Sequence, residues 1–175
     1  GPEGHAKTCF YQKHLGPGVP DAIARVRVKA GEAPYAAISD LDPLIGLVQM
    51  GVLEVHVWGS RIDHLDQPDI LVFDLDPSEE LPWGRVAAAA LQLRERLARL
   101  GLESFLRVTG GKGLHVVVPV VPGPTWPAVK QFAETVAREM VRQFPDDFTS
   151  VMSKQRRRGK IFVDYLRNAR GATAI

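Results

Sequence analysis

The sequence has little of what several classes of protein require. Cys9 is the only cysteine among 175 residues, so the chain can form neither an internal disulfide nor a cysteine-based zinc site. No apolar run is long enough to cross a bilayer, and the first residues lack the basic, apolar and small-residue pattern of a signal peptide. We therefore expect a cytoplasmic protein that does not enter a membrane.

An excess of charge of one sign is also nearly absent. The 22 Lys and Arg residues against 20 Asp and Glu leave a formal net charge of +2, which argues against an indiscriminately basic nucleic-acid coat but not against a local basic patch. A hydrophobic content of 45% is typical of a soluble globular chain, so we predict a single domain over residues 1–175. Gly1-Pro2 resembles the remnant of a removed tag, and Ile175 follows no helix stop or turn signal, which indicates a fragment.

Two carboxylates end a predicted strand in the middle of the chain. The apolar residues 70–73 predict a buried strand, and Asp74 and Asp76 lie on one face because side chains alternate along a strand. At a rise of about 3.3 Å per residue, their Cβ atoms lie roughly 7 Å apart, so both can bind a common ion or pair of ions. A divalent metal site is one interpretation. The other is that two acids mark the point where a core strand reaches solvent.

A third carboxylate repeats this layout. Residues 161–163 are apolar and are followed by Asp164. If the two strands are neighbours in a sheet, three carboxylates meet at one edge, which suits two hard divalent cations that also bind substrate phosphates. Several cations of the same region suit the rest of a polyanionic substrate. They are Arg156, Arg157, Arg158, Arg167 and Arg170.

A glycine-rich link joins two further predicted strands, 104–108 and 114–119. In residues 109–113, three glycines let the backbone approach a ligand and present amide groups, and Lys112 supplies a point charge for phosphate. The link is not a Walker A loop, because Lys112 is followed by glycine and then by a strand. His115 falls on the face opposite the apolar residues, near the turn. The link indicates a triphosphate cradle or, taken alone, a simple hairpin turn.

Aromatic residues and one histidine complete the set of candidates. Phe10 and Tyr11 lie in an irregular segment beside Lys13, a combination that suits stacking on bases and contact with phosphates, although the pair could equally pack on the core from a loop. The alternation of residues 53–58 predicts a strand with His56 on its polar side. From the residues alone, His56 is more typical of a structural hydrogen-bonding histidine than of a ligand.

Helical periodicity predicts three helices, over residues 41–51, 82–100 and 125–144. Asp40 is the expected N-cap of the first helix. The apolar stripe of that helix comprises Leu44, Ile45, Leu47 and Val48. The two longer helices have the amphipathic pattern of a scaffold that covers a sheet.

Six short segments stand in order along nearly the whole chain. They are FYQK at 10–13, LEVH at 53–56, VFDLDP at 72–77, TGGKGLHV at 109–116, MSK at 152–154 and FVDYLRNARG at 162–171. Together they closely resemble the polymerase domain of bacterial ligase D, which belongs to the archaeo-eukaryotic primase superfamily. Several motifs in one order are far more specific than any one of them.

The resemblance implies both a fold and an activity. The fold is mixed α/β, with a largely antiparallel central sheet that carries the acids and is flanked by helices. The activity is that of a primase-polymerase in bacterial non-homologous end joining, which extends primers at gapped or overhanging DNA ends with a nucleoside triphosphate. The family prefers ribonucleotides over deoxyribonucleotides and manganese over magnesium. The implied partners are DNA ends, Ku, and ligase and nuclease domains.

The resemblance also assigns roles to residues. Asp74 and Asp76 would hold two metal ions and Asp164 would complete the catalytic one, with His56 near the metal centre. The implied contacts to the incoming nucleotide are Thr109, Lys112, His115 and Arg167. The implied contacts to DNA are Phe10, Tyr11, Lys13, Lys154, Arg156, Arg157 and Arg158.

The family domain extends beyond both ends of this chain, so we expect a truncated catalytic core. Two other functions stay open. One is a DNA-end-binding fragment without polymerase activity. The other is a metal-dependent nucleotide phosphohydrolase, which would need no primer.

Overall fold

The computed structural model describes residues 10–174, apart from the side chains of Lys154 and Ala174. Cys9 and the Gly1-Pro2 start lie outside these residues. The chain divides into two compact units, residues 1–56 and 57–175. None of the helices in the described part combines the length and apolar character that crossing a bilayer requires.

The first unit holds a short hairpin and one helix. Strand β1 (Ala24–Val26) pairs antiparallel with β2 (Tyr35–Ala37). Helix α1 (Leu41–Gln49) begins at the predicted N-cap, where a carboxylate oxygen of Asp40 accepts a hydrogen bond from the Asp42 N–H at 3.1 Å. A small apolar cluster holds the unit together. Its buried members are Val19, Ile23 and Leu47.

The predicted apolar stripe of α1 is partly wrong. Leu47 is buried, but Leu44, Ile45 and Val48 are exposed, and the helix buries Pro43 and Gly46 instead. A Cβ on Gly46 would lie 3.5 Å from both Pro20 and Ile23. The helix therefore faces this cluster with Pro43, Gly46 and Leu47, which leaves the larger apolar residues on its outer side.

The second unit contains the remaining strands and both long helices. In chain order these are β3 (Val57–Trp58), β4 (Ile70–Pro77), α2 (Trp83–Arg99), β5 (Phe105–Val108), β6 (Leu114–Pro119), α3 (Trp126–Gln143), β7 (Phe148–Thr149), β8 (Ile161–Asp164) and β9 (Thr173–Ala174). Short 3-10 turns span Ile62–His64, Lys154–Arg157 and Leu166–Asn168. The strand predicted over residues 53–58 is confined to β3, which pairs with β9.

The central sheet has five strands in the order β5-β6-β4-β8-β7. Three of the four pairings are antiparallel, and only β7 and β8 run parallel. The predicted mixed α/β class with a largely antiparallel sheet is confirmed. β4 is the longest strand and lies at the centre, with a neighbour on each side.

The two faces of β4 have opposite character because side chains alternate along a strand. Leu71, Phe73 and Leu75 point into the main core, where each is almost fully buried. Burial of a side chain of this size contributes about 1.5–3 kcal/mol. Residues of both α2 and α3 cover this face, as predicted. Asp74 and Asp76 therefore lie on the other face.

Candidate metal and nucleotide site

Asp164, Asp74 and His115 form one row across the central sheet. Asp74 on β4 is the register partner of His115 on β6 and of Asp164 on β8. Directly opposite residues in an antiparallel pair point to the same face, with Cβ atoms about 4.5–5.5 Å apart. Asp76 lies two residues further along β4, also on this face. The two strands that end in acids are thus neighbours, as the sequence required for a three-carboxylate site.

Asp164 is the most buried of the three acids, with 8% of the residue exposed. Burial raises the pKa of its carboxyl group above the ordinary aspartate value, against the lowering effect of a backbone hydrogen bond and of Arg167. That bond comes from the Leu166 N–H, which donates to Asp164 Oδ1 at 2.8 Å. Oδ1 of Asp164 is therefore used locally, and Oδ2 contacts Arg167.

Arg167 contacts two members of the row. Its Nη2 lies 3.4 Å from Asp74 Oδ2, and its Nε lies 3.3 Å from Asp164 Oδ2. Two carboxylates side by side repel each other unless a cation lies close to both. In this structure, the Arg167 guanidinium is that cation.

Arg157 turns inward from the basic segment. Its guanidinium pairs with the Asp76 carboxylate and lies 4.0 Å from the centroid of the Phe162 ring. A further hydrogen bond runs from its Nη2 to the Met152 carbonyl at 2.9 Å. Arg156 and Arg158 are exposed by contrast. The role of Arg157 in DNA binding stays a prediction, and so does that of Lys154, whose side chain is not described.

The oxygen atoms of the three carboxylates are of the chemical type that hard divalent cations bind. Asp74, Asp76 and Asp164 supply carboxylate oxygens, the ligands that Mg²⁺ and Mn²⁺ prefer. Nearby, His115 Nδ1 is buried without a hydrogen-bond partner. Among the described residues, no group of three or more His, Cys, Asp or Glu side chains is yet arranged around one ion position. Arg157 and Arg167 contact these same carboxylates, so a bound ion competes with their guanidinium groups for the oxygens.

The glycine-rich link lies beside this row, as the hairpin connection between β5 and β6. A Cβ on Gly113 would lie 2.5 Å from the Leu75 carbonyl oxygen and 3.6 Å from Asp74 Oδ1. Glycine therefore lets the link approach β4 closely. His115 Nε2 lies 3.5 Å from Asp74 Oδ1. Lys112 is exposed, with its Nζ 3.6 Å from Glu79 Oε1, so its charge can turn toward an anionic ligand.

Four further predicted site residues, Phe10, Tyr11, Lys13 and His56, belong to the first unit. Phe10 and Tyr11 are each more than 60% exposed, and Tyr11 packs edge-on against His56 with ring centroids 5.2 Å apart. His56 Nε2 lies 2.7 Å from Glu54 Oε1. Lys13 Nζ lies 5.6 Å from the Tyr35 ring centroid. The predicted roles of these residues in catalysis and DNA binding stay predictions.

Two residues of the carboxylate face were not expected from the sequence. Arg107 on β5 is the register partner of His115, so it extends the row by a cation. Asn168 is 1% exposed and bonds to the backbone of β4 at Val72. The alternation of β5 could have indicated Arg107. No local pattern could have indicated Asn168, because its partner lies 96 residues away.

Comparisons with known proteins agree on one family. A family model described as the LigD primase-polymerase domain matches residues 1–175. The multifunctional non-homologous end joining protein LigD of Pseudomonas aeruginosa is 39% identical over 179 residues, covering 100% of this chain and 21% of that protein. The bifunctional non-homologous end joining protein LigD of Bacillus subtilis is 29% identical over 175 residues, covering 99% of this chain and 28% of that protein.

A solved structure agrees with these sequence comparisons. The polymerase domain from Mycobacterium tuberculosis ligase D, in complex with DNA, superposes with a TM-score of 0.87 at 31% identity. The match covers 97% of this chain and 63% of that chain. The chain spans 21% of the length of the Pseudomonas protein and 28% of the Bacillus protein. The resemblance found in the sequence motifs is confirmed, and the chain belongs to the LigD primase-polymerase domain family.

Proposed function

We propose that this chain is a metal-dependent nucleotidyltransferase that adds nucleotides to the 3′ end of a primer strand at gaps and breaks in DNA, during bacterial non-homologous end joining. The family is of the DNA polymerase and primase type. The observation that carries the proposal for this chain is the row formed by Asp74, Asp164 and His115 on three adjacent strands. Such a row, beside a glycine-rich link, suits a nucleoside triphosphate and its cations.

Asp74, Asp76 and Asp164 would hold two divalent ions, Mn²⁺ in preference to Mg²⁺. When bound, such ions neutralise the triphosphate and lower the pKa of the attacking 3′-hydroxyl. The carboxylates suit these ions because they are hard oxygen ligands from adjacent strands. The partial burial of Asp74 and Asp164 supports strong binding, because charges attract more strongly where water is scarce.

The chain's own residues would bind and orient the nucleotide. Backbone N–H groups of residues 109–113, the Thr109 hydroxyl and the Lys112 ammonium are donors suited to phosphate oxygens. His115 follows this link by two residues and its Nε2 lies 3.5 Å from Asp74 Oδ1, so its imidazole is a further donor suited to a phosphate oxygen. Arg167 supplies a guanidinium for the same anionic ligand. Positioning and charge neutralisation then account for most of the catalysis.

Contacts to DNA would come from both units. Arg156 and Arg158 are exposed cations suited to backbone phosphates. Phe10 and Tyr11 present exposed rings on which unpaired bases can stack. The related mycobacterial domain was solved in complex with DNA. We expect this chain to bind DNA as well. Its other expected partners are Ku and the ligase and nuclease domains, supplied in the same or another protein. It would act on the nucleoid in the cytoplasm.

Primer extension on a gapped duplex tests the proposal. Wild-type protein is incubated with Mn²⁺ and either rATP or dATP, beside Asp74→Ala/Asp76→Ala and a charge-matched control, Glu95→Ala/Glu103→Ala, which removes two exposed acids. We expect extension by the wild type and the control, with more product from rATP, and none by the carboxylate variant.

Two other outcomes favour the competing functions. DNA binding without extension by any of the three proteins would indicate a binding fragment. Release of phosphate from rATP in the absence of a primer would indicate a phosphohydrolase. Extension by Asp74→Ala/Asp76→Ala at the wild-type rate would overturn the assignment of the metal site.

A further inference from the structure

Asn168 is a buried polar residue on the carboxylate face. It ends the 3-10 turn Leu166–Asn168, directly after Arg167, and is 1% exposed. A buried amide is costly unless its donors and acceptor are hydrogen-bonded. Its side chain meets this requirement mainly through the backbone of β4.

The side-chain amide binds both backbone groups of one residue of β4. Asn168 Oδ1 accepts a hydrogen bond from the Val72 N–H at 2.8 Å, and Nδ2 donates to the Val72 carbonyl at 2.8 Å. Nδ2 also donates to the Tyr165 carbonyl at 2.9 Å. Two bonds in opposite directions to one residue have the pattern of a hydrogen-bonded pair in an antiparallel ladder.

The two hydrogen bonds between the Asn168 amide and the Val72 backbone, called the clamp below, replace a backbone pairing that is missing between β4 and β8. The pairing of the two strands ends at Asp74 and Asp164, and two residues further along it would match Val72 with Leu166. At that point the chain has already left the strand for the 3-10 turn. The Asn168 amide therefore takes the place of the next peptide group, so β8 can end early while the N–H and C=O of Val72 stay satisfied.

The early end of β8 determines where Arg167 lies. The turn is fixed at its start by the bond from the Leu166 N–H to Asp164 and at its end by the clamp on Val72. Arg167 lies between these two anchors, with its guanidinium within 3.5 Å of both Asp74 and Asp164. Without the second anchor, the turn is held at one end only.

We infer that Asn168 is a positioning residue. Its amide takes the place of a paired strand residue beside Val72 and so holds the Arg167 guanidinium at the carboxylates of Asp74 and Asp164. The effect on nucleotide use rests on the proposed function, because it assumes that triphosphate binds at this face. The placement of Arg167 itself does not depend on that function. The two can therefore be tested separately.

The first measurement is NMR of the free protein, without metal or nucleotide. The Arg167 Nε–H signal is assigned by its loss in Arg167→Lys, and is then compared in Asn168→Ser and in the near-isosteric Asn168→Asp. We expect the wild-type chemical shift to differ from that of an arginine without a carboxylate partner, and the shifts of both variants to move toward that unpaired value. Val163→Ala is the control, because it weakens β8 from the core face without touching the clamp.

An unchanged Arg167 signal in whichever Asn168 variant folds would overturn the inference. A change of similar size in Val163→Ala would also overturn it, because the effect would then follow general destabilisation. The second measurement is primer extension with rATP, in which we expect kcat/KM to fall about tenfold in Asn168→Ser, mainly through KM. In an Arg167→Ala background, the same change should cost less than twofold.

The outcomes separate the two claims. If the NMR signal moves as expected but the wild type extends no primer, the positioning role stands and the proposed function fails. If the wild type extends primers and Asn168→Ser is equally impaired with and without Arg167, the positioning role fails and the proposed function stands.

Discussion

Asp74 and Asp164 are directly paired on adjacent antiparallel strands, and a single guanidinium, that of Arg167, contacts both carboxylates at 3.4 and 3.3 Å. Like charges at paired positions destabilise a sheet, and partial burial strengthens their repulsion. A cation beside this pair therefore stabilises the fold. Arg167 has this role in the structure described, and divalent ions would have it in the loaded protein.

The raised pKa of Asp164 predicts that metal binding weakens in mild acid. A carboxylate must be deprotonated to bind a metal, and burial keeps the Asp164 proton on at a higher pH than in an ordinary aspartate. We expect Mn²⁺ affinity to fall as the pH drops through this raised pKa. Measurement of free Mn²⁺ by electron paramagnetic resonance, from about pH 4 to about pH 8, checks the prediction.

The raised pKa of Asp164 also predicts that the metal-free protein loses stability as the pH rises, which is the opposite trend to that of metal binding. Because its pKa is higher in the folded state than in the unfolded state, Asp164 contributes stability that is present below the unfolded pKa and is lost as the pH rises through the folded one. Asp164→Asn should remove this loss in urea denaturation. A wild-type profile that shows no such loss, relative to Asp164→Asn, would contradict the assigned cause.

Removal of Arg157 is predicted to tighten Mn²⁺ binding in the absence of DNA. The Arg157 guanidinium pairs with Asp76, which is about half exposed, and so competes with an ion for that carboxylate. We expect Arg157→Ala to lower the Mn²⁺ dissociation constant about two- to fivefold, equivalent to roughly 0.4–1 kcal/mol for a part-exposed ion pair. Calorimetric titration measures it.

Arg156→Ala is the matched control for this prediction, because Arg156 belongs to the same basic segment but is exposed. It removes the same charge from the surface and should leave the dissociation constant unchanged within twofold. Equal tightening in both variants would indicate a general electrostatic effect, not competition at Asp76.

A methyl group at Gly113 is predicted to push the glycine-rich link away from β4. Its Cβ would lie 2.5 Å from the Leu75 carbonyl oxygen, which belongs to the backbone of the central strand. We expect Gly113→Ala to lower the free energy of unfolding by about 1–3 kcal/mol, as overpacked sites do, and to weaken rATP binding. Urea denaturation and equilibrium dialysis measure the two effects.

Gly111→Ala is the control within the same link. Its Cβ would meet only the Thr109 hydroxyl oxygen, at an ordinary contact distance of 3.7 Å. Stability should change by less than about 0.5 kcal/mol. If both substitutions were equally damaging, the close approach of Gly113 to β4 would not explain the loss.

The sheet and its acids were predictable because the signals are local. Apolar runs before Asp74 and Asp164, with period-two alternation, place each acid on its strand without knowledge of any distant residue. The antiparallel order of the strands then brings the acids together. Family resemblance suggested roles that the alternation alone left open, such as nucleotide binding by the glycine-rich link.

The contacts that the sequence did not predict depend on distant partners or on close approach of the backbone. Arg157 belongs to a run of arginines that indicated contacts to a polyanionic substrate, and its partner Asp76 lies 81 residues away. Helix α1 packs through Gly46, which a hydrophobic pattern ignores. The strand expected around His56 needed a pairing partner, and only Val57–Trp58 finds one, at Thr173–Ala174.

Manganese-dependent incorporation of rATP by Asp74→Asn is the most direct test of the central claim, that the paired carboxylates form the catalytic metal site. The amide keeps the size of the side chain and removes its charge, and Asp146→Asn, at an exposed position, is the control. We expect Asp146→Asn to match the wild type and Asp74→Asn to lose at least about a hundredfold in rate, since even indirect supports of a metal site can cost that much. Wild-type incorporation by Asp74→Asn would contradict the claim.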